Sequence, residues 1–404
     1  MTIKSKIASY LAIALLSGMS NFAAAGVEDS KNLAPEATAA ETTLSFRDMP
    51  YLKKAFIDTA PVDRKDGIPV GELGVDGGNK AMIVKLAQEI ADGKHSRFDS
   101  LLIAHKGKLL FESYYLKGRI NLPHPQASAT KSYTSLALGR AIQMGYLTMA
   151  DLDKPLVSFL GDLDPAKFVD GAEKITLHQA LTMSSGLRIS SNKWTELREN
   201  AALKGQGLIQ AFLEQTAPIT AESQSFKYGS GQPDLVMQVI EAIVPGTAKD
   251  FIKNELFDKM GITTYDWQTN VNGLPTAGSR ASMTSRAMVK WGTLVLDKGK
   301  WQGEQLIPEA FIAKATSKIA EPTDDEVVSA ASVSGTSYGY FFWLNDLSTG
   351  DKSYLSRAAE GGGGQYVIAI QELDLVVVVT AHNKSFHAET LSLTATRILP
   401  GFIK

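Results

Sequence analysis

Ser128 and Lys131 stand three residues apart where a run of helical spacing begins, and a serine beside a lysine can attack an acyl carbon. Residues at i and i+3 share a helix face, so the Lys131 amine can approach the Ser128 hydroxyl. A hydroxyl is a poor nucleophile until a base takes its proton. A lysine can do so only if burial or a neighbouring charge lowers its pKa from about 10.4. A helix N-terminus also directs unpaired amides toward an anion forming there. The same serine would serve as an ordinary helix cap, so the pair alone decides little.

Other candidates compete with it. Ser190-Ser191-Asn192-Lys193 repeats the spacing, but in a polar stretch that reads as loop with no amphipathic helix behind it. Gly335-Thr336-Ser337-Tyr338-Gly339 fits the Gly-x-Ser-x-Gly elbow, which needs a buried strand before it and a helix after it. Here a Ser/Ala-rich stretch precedes and the strand-like residues 340–344 follow, so the match reads as coincidence. His382, at the end of a strand-like run over 373–380, is the best placed histidine for a Ser-His-Asp triad, although a strand-end histidine is more often structural. No two histidines sit at i, i+3 or i+4 on a helix, and His382 and His387 are five apart in a polar loop, so no metal site is expected. Cysteine is absent, which removes thiol catalysis, disulfides and thiolate ligation together. No cofactor is implied.

The elements that must position these groups are legible in outline. Phe98–His105 reads as a strand, Lys106-Gly107-Lys108 as a turn and residues 109–115 as the hairpin partner. Residues 128–146 place Leu136, Leu138, Ile142 and Met144 at helical intervals, with Gly145 as a stop. Helical patterns dominate residues 147–280, as at 207–214 and 234–243. Strand-like runs return at 338–344, 365–370 and 373–380. The expected architecture is α/β of the α+β kind: a sheet-containing domain formed by residues 46–146 and 281–404, interrupted by a mainly helical insertion at 147–280, all in one catalytic unit.

Two further boxes follow the first. Tyr228-Gly229-Ser230 precedes a helix-like run, and Ala359-Glu360-Gly361-Gly362-Gly363-Gly364-Gln365 is a glycine-rich strand near the C-terminus. With Ser128-x-x-Lys131 ahead of them, over residues 75–400, the chain resembles the penicillin-recognising serine hydrolases: class C β-lactamases, D-Ala-D-Ala carboxypeptidases, and related esterases and 6-aminohexanoate-dimer hydrolases. That resemblance implies an antiparallel sheet flanked by helices with an all-helical insertion. It also implies Ser128 as nucleophile, Lys131 and Tyr228 as the pair that shuttles its proton, Ser230 as a hydrogen-bonding residue of the second box, and the Ser128 and Gly362 amides as an oxyanion hole beside Gly361. The chain departs from the pattern in its third box. Where β-lactamases and carboxypeptidases carry Lys-Thr-Gly, it has Ala359-Glu360-Gly361. The lysine that faces a substrate carboxylate is missing, and Glu360 is expected to disfavour anionic substrates.

The resemblance therefore implies an acyl-enzyme hydrolase of carboxylic esters or simple amides. The alternatives are β-lactamase or carboxypeptidase activity, or a non-catalytic penicillin-binding-like sensor. A net charge of −2 gives no reason to expect nucleic acid as a partner. Residues 1–25 have the order of a secretory signal: Lys4 and Lys6, an apolar run from Ile7 to Leu16 too short to span a bilayer, then Ala23-Ala24-Ala25. Export to the periplasm or medium follows as an expectation, with residues 26–45 as a flexible leader and no stable membrane insertion. A small ester or amide is the expected partner.

Overall fold

The computed structural model describes residues 33–327, 330–384 and 388–403. The expected signal segment, the first part of the leader and His387 lie outside the described residues. Residues 34–45 correct the flexible-leader expectation. The Ala37 amide donates to Asn121 Oδ1 at 2.7 Å, the Ile120 amide donates to Pro35 O at 2.9 Å, and Arg119 pairs with Glu41 at 2.8 Å. Ala34 and Ala37 are buried. Such a segment needs no hydrophobic period, because side-chain and backbone hydrogen bonds hold it.

In chain order the strands are β1 (Phe56–Asp58), β2 (Phe98–His105), β3 (Lys108–Tyr114), β4 (His124–Pro125), β5 (Tyr265–Trp267), β6 (Ala281–Met283), β7 (Lys300–Trp301), β8 (Glu304–Gln305), β9 (Val333–Tyr338), β10 (Trp343–Thr349), β11 (Lys352–Gly361), β12 (Gln365–Ile370) and β13 (Leu375–Ala381). The helices are α1 (Lys80–Ala91), α2 (Thr130–Gln143), α3 (Leu177–Leu181), α4 (Ser191–Glu199), α5 (Gly207–Gln215), α6 (Gly231–Ile243), α7 (Ala248–Ile252), α8 (Ser285–Leu296), α9 (Glu309–Ala315) and α10 (Glu389–Leu393). Eight strands form one antiparallel sheet in the order β1-β3-β2-β13-β12-β11-β10-β9, while β4, β6 and β5 form a small second sheet. The first and last parts of the chain thus share a sheet, and residues 147–280 contribute α3–α7 and the short β5.

Alternation along the strands sorts the core into two layers. Val376 and Val378 of β13 face the layer that holds α2 and α8, whereas Leu375, Val377 and Val379 face α1 and the C-terminal helix. Helix α8 lies close on the sheet: a methyl group at Gly292 would overlap Val376. Central strands buried on both faces read as continuous apolar runs, which is why Val376-Val377-Val378-Val379 carries no alternation. The strand expected at 338–344 is instead the junction of two. β9 ends at Tyr338, Phe341 takes a left-handed φ of 61°, and β10 starts at Trp343. Phe341 is anchored there by donating its amide to Leu181 O at 3.1 Å and accepting at its carbonyl from Ser132 Oγ at 2.5 Å.

Candidate active site

Helix α2 is buried all round from Thr130 to Ile142. Its polar side chains must therefore find partners inside the protein. Thr134 Oγ1 donates to Ala277 O at 2.8 Å, and Arg140 meets Leu306 O at 3.2 Å and Glu255 at 2.8 Å. Lys131 lies on this helix, and its Nζ donates to Ser128 Oγ at 3.1 Å and to Gly278 O at 3.0 Å. Ser128 sits in a short 3₁₀ turn, Ala127–Ala129, that leads directly into α2. The residue before it, Ala127, holds a left-handed φ of 45°, which turns the chain from β4 into the helix and is costly for an alanine. Thr130 Oγ1 secures that bend by donating to Ala127 O at 2.7 Å.

Tyr228 comes from the loop before α6. Lys131 Nζ stands 4.7 Å from the centroid of its ring. Among the described residues the phenol oxygen makes no hydrogen bond to Ser128 or Lys131, so the direct proton shuttle implied for Tyr228 has no link here. The ring face is what meets the amine. Ser230 lies half-buried just ahead of α6; its carbonyl accepts from Arg198 Nη2 at 3.2 Å, and its side chain makes no cap bond to the helix. Asp234, in the first turn of α6, pairs with Arg198 at 2.6 Å and feels Lys131 nearby. Burial nonetheless holds the Asp234 carboxyl above the usual carboxylate range.

The third box closes the site from the sheet side. Strand β11 ends at Gly361, where a methyl group would overlap the carbonyl oxygen of Gln126, two residues before Ser128. Only glycine allows the strand to come so near. Gly362 then starts the turn to β12, and its amide donates to no backbone acceptor among the described residues. The Ser128 amide, in the first turn of its helix, is likewise without an intrahelical acceptor. The Ser128 and Gly362 amides are thus without a backbone acceptor among the described residues, where the end of β11 approaches the Ser128 turn.

Glu360 departs from the charge expected of it. It is 6% exposed, its Oε1 accepts from Asn345 Nδ2 at 3.1 Å, and burial pushes its carboxyl up to about 8. At neutral pH it is chiefly a neutral acid, so a standing negative charge that repels anions is not what this residue supplies. Tyr228 and Glu360 line one cavity of about 380 Å³; Tyr228 and Ser230 line a second, of about 490 Å³, beside Arg188 and Trp194.

The rival serines sit elsewhere. Ser337 lies inside β9 with a buried, unpartnered Oγ, and no elbow forms. Ser190 does precede a helix, α4, contrary to the loop expected there, but Lys193 points to Glu196 at 2.9 Å. His382 Nδ1 is 2.8 Å from Asp99 Oδ2 and its Nε2 is 3.0 Å from Tyr51 Oη. Asp99 also takes His124 Nε2 at 2.9 Å, and those hydrogen bonds hold its buried carboxyl below the usual range against the cost of desolvation. No serine completes that arrangement among the described residues, where no cluster suited to a metal ion occurs either. Sequence reasoning missed the Gly278 carbonyl, Asn345 and Asp234. A carbonyl carries no residue code, and the other two sit outside every box.

A family model described as beta-lactamase matches residues 83–398. The chain belongs to the beta-lactamase family. It is 30% identical over 155 residues to the lovastatin esterase of Penicillium rubens, an alignment spanning 34% of this chain and 37% of that enzyme. Among solved structures it resembles a class C beta-lactamase (TM-score 0.59, 12% identity, 80% of this chain and 96% of that one). It also resembles a D-stereospecific amidohydrolase from Streptomyces sp. (TM-score 0.56, 13% identity, 78% and 98%). The antiparallel sheet flanked by helices is the family's fold, and the family's serine hydrolases include β-lactamase, esterase and amidohydrolase members.

Proposed function

We propose that this family member hydrolyses carboxylic esters or simple amides through an acyl-enzyme on Ser128. The observation that carries the reading is the 3.1 Å contact between Lys131 Nζ and Ser128 Oγ at the start of a buried helix. In the acylation step Lys131 Nζ, 3.1 Å from Ser128 Oγ, serves as the base that takes its proton as Oγ bonds to the acyl carbon. The oxyanion settles between the Ser128 and Gly362 amides. Lys131, now an ammonium over the Tyr228 ring, is stabilised there by the ring face. Collapse breaks the ester or amide bond, and the leaving group takes the proton from Lys131. Water then attacks the acyl carbon, gives its proton to Lys131, and Ser128 leaves with that proton restored.

The missing third-box lysine and the buried, neutral Glu360 support esters and simple amides over substrates with an obligatory carboxylate, and similarity to a lovastatin esterase points the same way. A screen of p-nitrophenyl esters, linear amides, a chromogenic cephalosporin and D-Ala-D-Ala peptides tests this, alongside fluorophosphonate labelling. Esters should turn over fastest, with the label on Ser128. Labelling without turnover of any compound would favour a sensor. We further propose export by the segment 1–25, which N-terminal sequencing of protein recovered outside the cytoplasm would test.

A further inference from the structure

The cavity that Tyr228 shares with Glu360 has an unusual chemical balance. Its described lining carries three carboxyl groups, from Glu360, Glu326 and Asp325, and two aromatic rings, Tyr228 and Trp343. It carries no cationic side chain. The rings lie 5.4 Å apart and tilted by 35°, a panel rather than a sandwich. Asn345 holds Glu360 in place, and its own Oδ1 accepts from Thr336 Oγ1 at 2.7 Å, which fixes the amide with its NH₂ on the carboxyl. Glu326 accepts from the Tyr228 amide at 3.1 Å, tying the acidic wall to the second box. Tyr228, which lines the cavity, also meets Lys131 Nζ at 4.7 Å from its ring centroid, so the cavity adjoins the candidate site through that ring.

The geometry points to a cation-accepting pocket: the substrate carries an ammonium group that seats against the Tyr228 and Trp343 rings and Glu360. This rests on the hydrolase reading of Ser128 and deepens it by naming the substrate class. A buried carboxyl is costly to charge when alone, and a cation beside it reverses that preference. An aromatic face adds attraction once water is excluded. Burial keeps Glu360 protonated up to about pH 8, so an entering ammonium displaces its proton to solvent. Binding therefore strengthens as pH rises toward 8 and releases a proton at pH 7. Other titratable groups bear on Glu360. Tyr338 of β9 and Tyr366 of β12 are buried phenols pushed upward, by burial first and by Glu360 in addition, so they stay neutral. Glu326 and Asp325 add negative charge from the opposite wall, the former partly offset by Lys227 at 3.2 Å. Lys131 approaches the Tyr228 ring from α2 and is not part of the lining.

The test compares kcat/KM for the p-nitrophenyl ester of γ-trimethylammoniobutyrate with its uncharged tert-butyl isostere, in the wild type and in Glu360→Gln. The wild type should prefer the ammonium ester by roughly tenfold at pH 8 and less at pH 6, as cation–π attraction plus a carboxylate would give. Glu360→Gln should reduce the preference below about threefold and remove its pH dependence. Equal handling of the pair by the wild type overturns the pocket while leaving the hydrolase reading intact. If neither ester is cleaved, calorimetry of tetramethylammonium chloride with the Ser128→Ala protein decides. Binding with proton release at pH 7 sustains the pocket and sinks the hydrolase reading alone, and no heat at millimolar concentration sinks both.

Discussion

Replacing Glu360 by glutamine should stabilise the folded protein, and by an amount that depends on pH. In the unfolded chain a glutamate titrates near its ordinary 4.5, whereas burial carries Glu360 to about 8 against the lowering effect of the Asn345 hydrogen bond. A carboxyl whose folded pKa is raised contributes its stability fully below the unfolded value. Above it, the unfolded state gains by ionising while the folded state holds its proton, and stability falls until the folded group ionises as well. Each pH unit across that window is worth ~1.4 kcal/mol. The interval from 4.5 to about 8 thus amounts to at most about 5 kcal/mol. Water in the adjoining cavity and local relaxation would reduce this, and ~2–3 kcal/mol is a fair expectation for a buried carboxyl. Glutamine keeps the size and the bond to Asn345 without the proton. Urea unfolding of both proteins at pH 5, 6.5 and 8, followed by circular dichroism, isolates the effect, because every other group cancels in the difference. The variants should be close at pH 5 and diverge toward pH 8, with Glu360→Gln the more stable. A difference that stays flat across this range would show that Glu360 is already solvated and charged in the folded state.

Ser128→Ala should abolish turnover with an unchanged circular dichroism spectrum, while Ser337→Ala keeps most activity and loses no stability, since its buried Oγ has no partner to forfeit. Loss of activity in Ser337→Ala with retention in Ser128→Ala would reverse the nucleophile assignment. Tyr228→Phe should keep kcat within about tenfold of wild type because it preserves the ring face under Lys131, and Tyr228→Leu should lose about tenfold more. A hundredfold loss in Tyr228→Phe would instead place the phenol oxygen in the proton path. Gly361→Ala should lower kcat by about tenfold or more with a smaller change in KM. The added methyl must push β11 away from Gln126 and so shift the Gly362 amide out of line with the oxyanion.

What could be read in the sequence was what repeats along it or is punctuated. The β2–β3 hairpin announced itself by Lys106-Gly107 between apolar runs, and helix α2 by leucines at helical intervals ahead of Gly145. The boxes around Ser128 and Tyr228 were legible because residue type and local spacing alone place them at the starts of α2 and α6. Three features were not legible, each for a different reason. The break between β9 and β10 depends on Phe341 in a left-handed conformation, which no side-chain code signals and which contacts to Leu181 and Ser132 enforce from far away in sequence. The leader's docking rests on Asn121 and Arg119, more than seventy residues downstream. Glu360 was misjudged in charge because a residue's ionisation is set by its surroundings, and those surroundings come from β10 and β12 rather than from its neighbours in the chain. A glutamate in a strand reads as a charge; one 6% exposed, with a single amide to satisfy it, is a stored proton. Within the glycine-rich stretch, the approach to Gln126 requires glycine at 361. That requirement comes from contact with the segment that carries Ser128, whereas Glu360 beside it is held by Asn345 of β10, so the two neighbours answer to different parts of the fold.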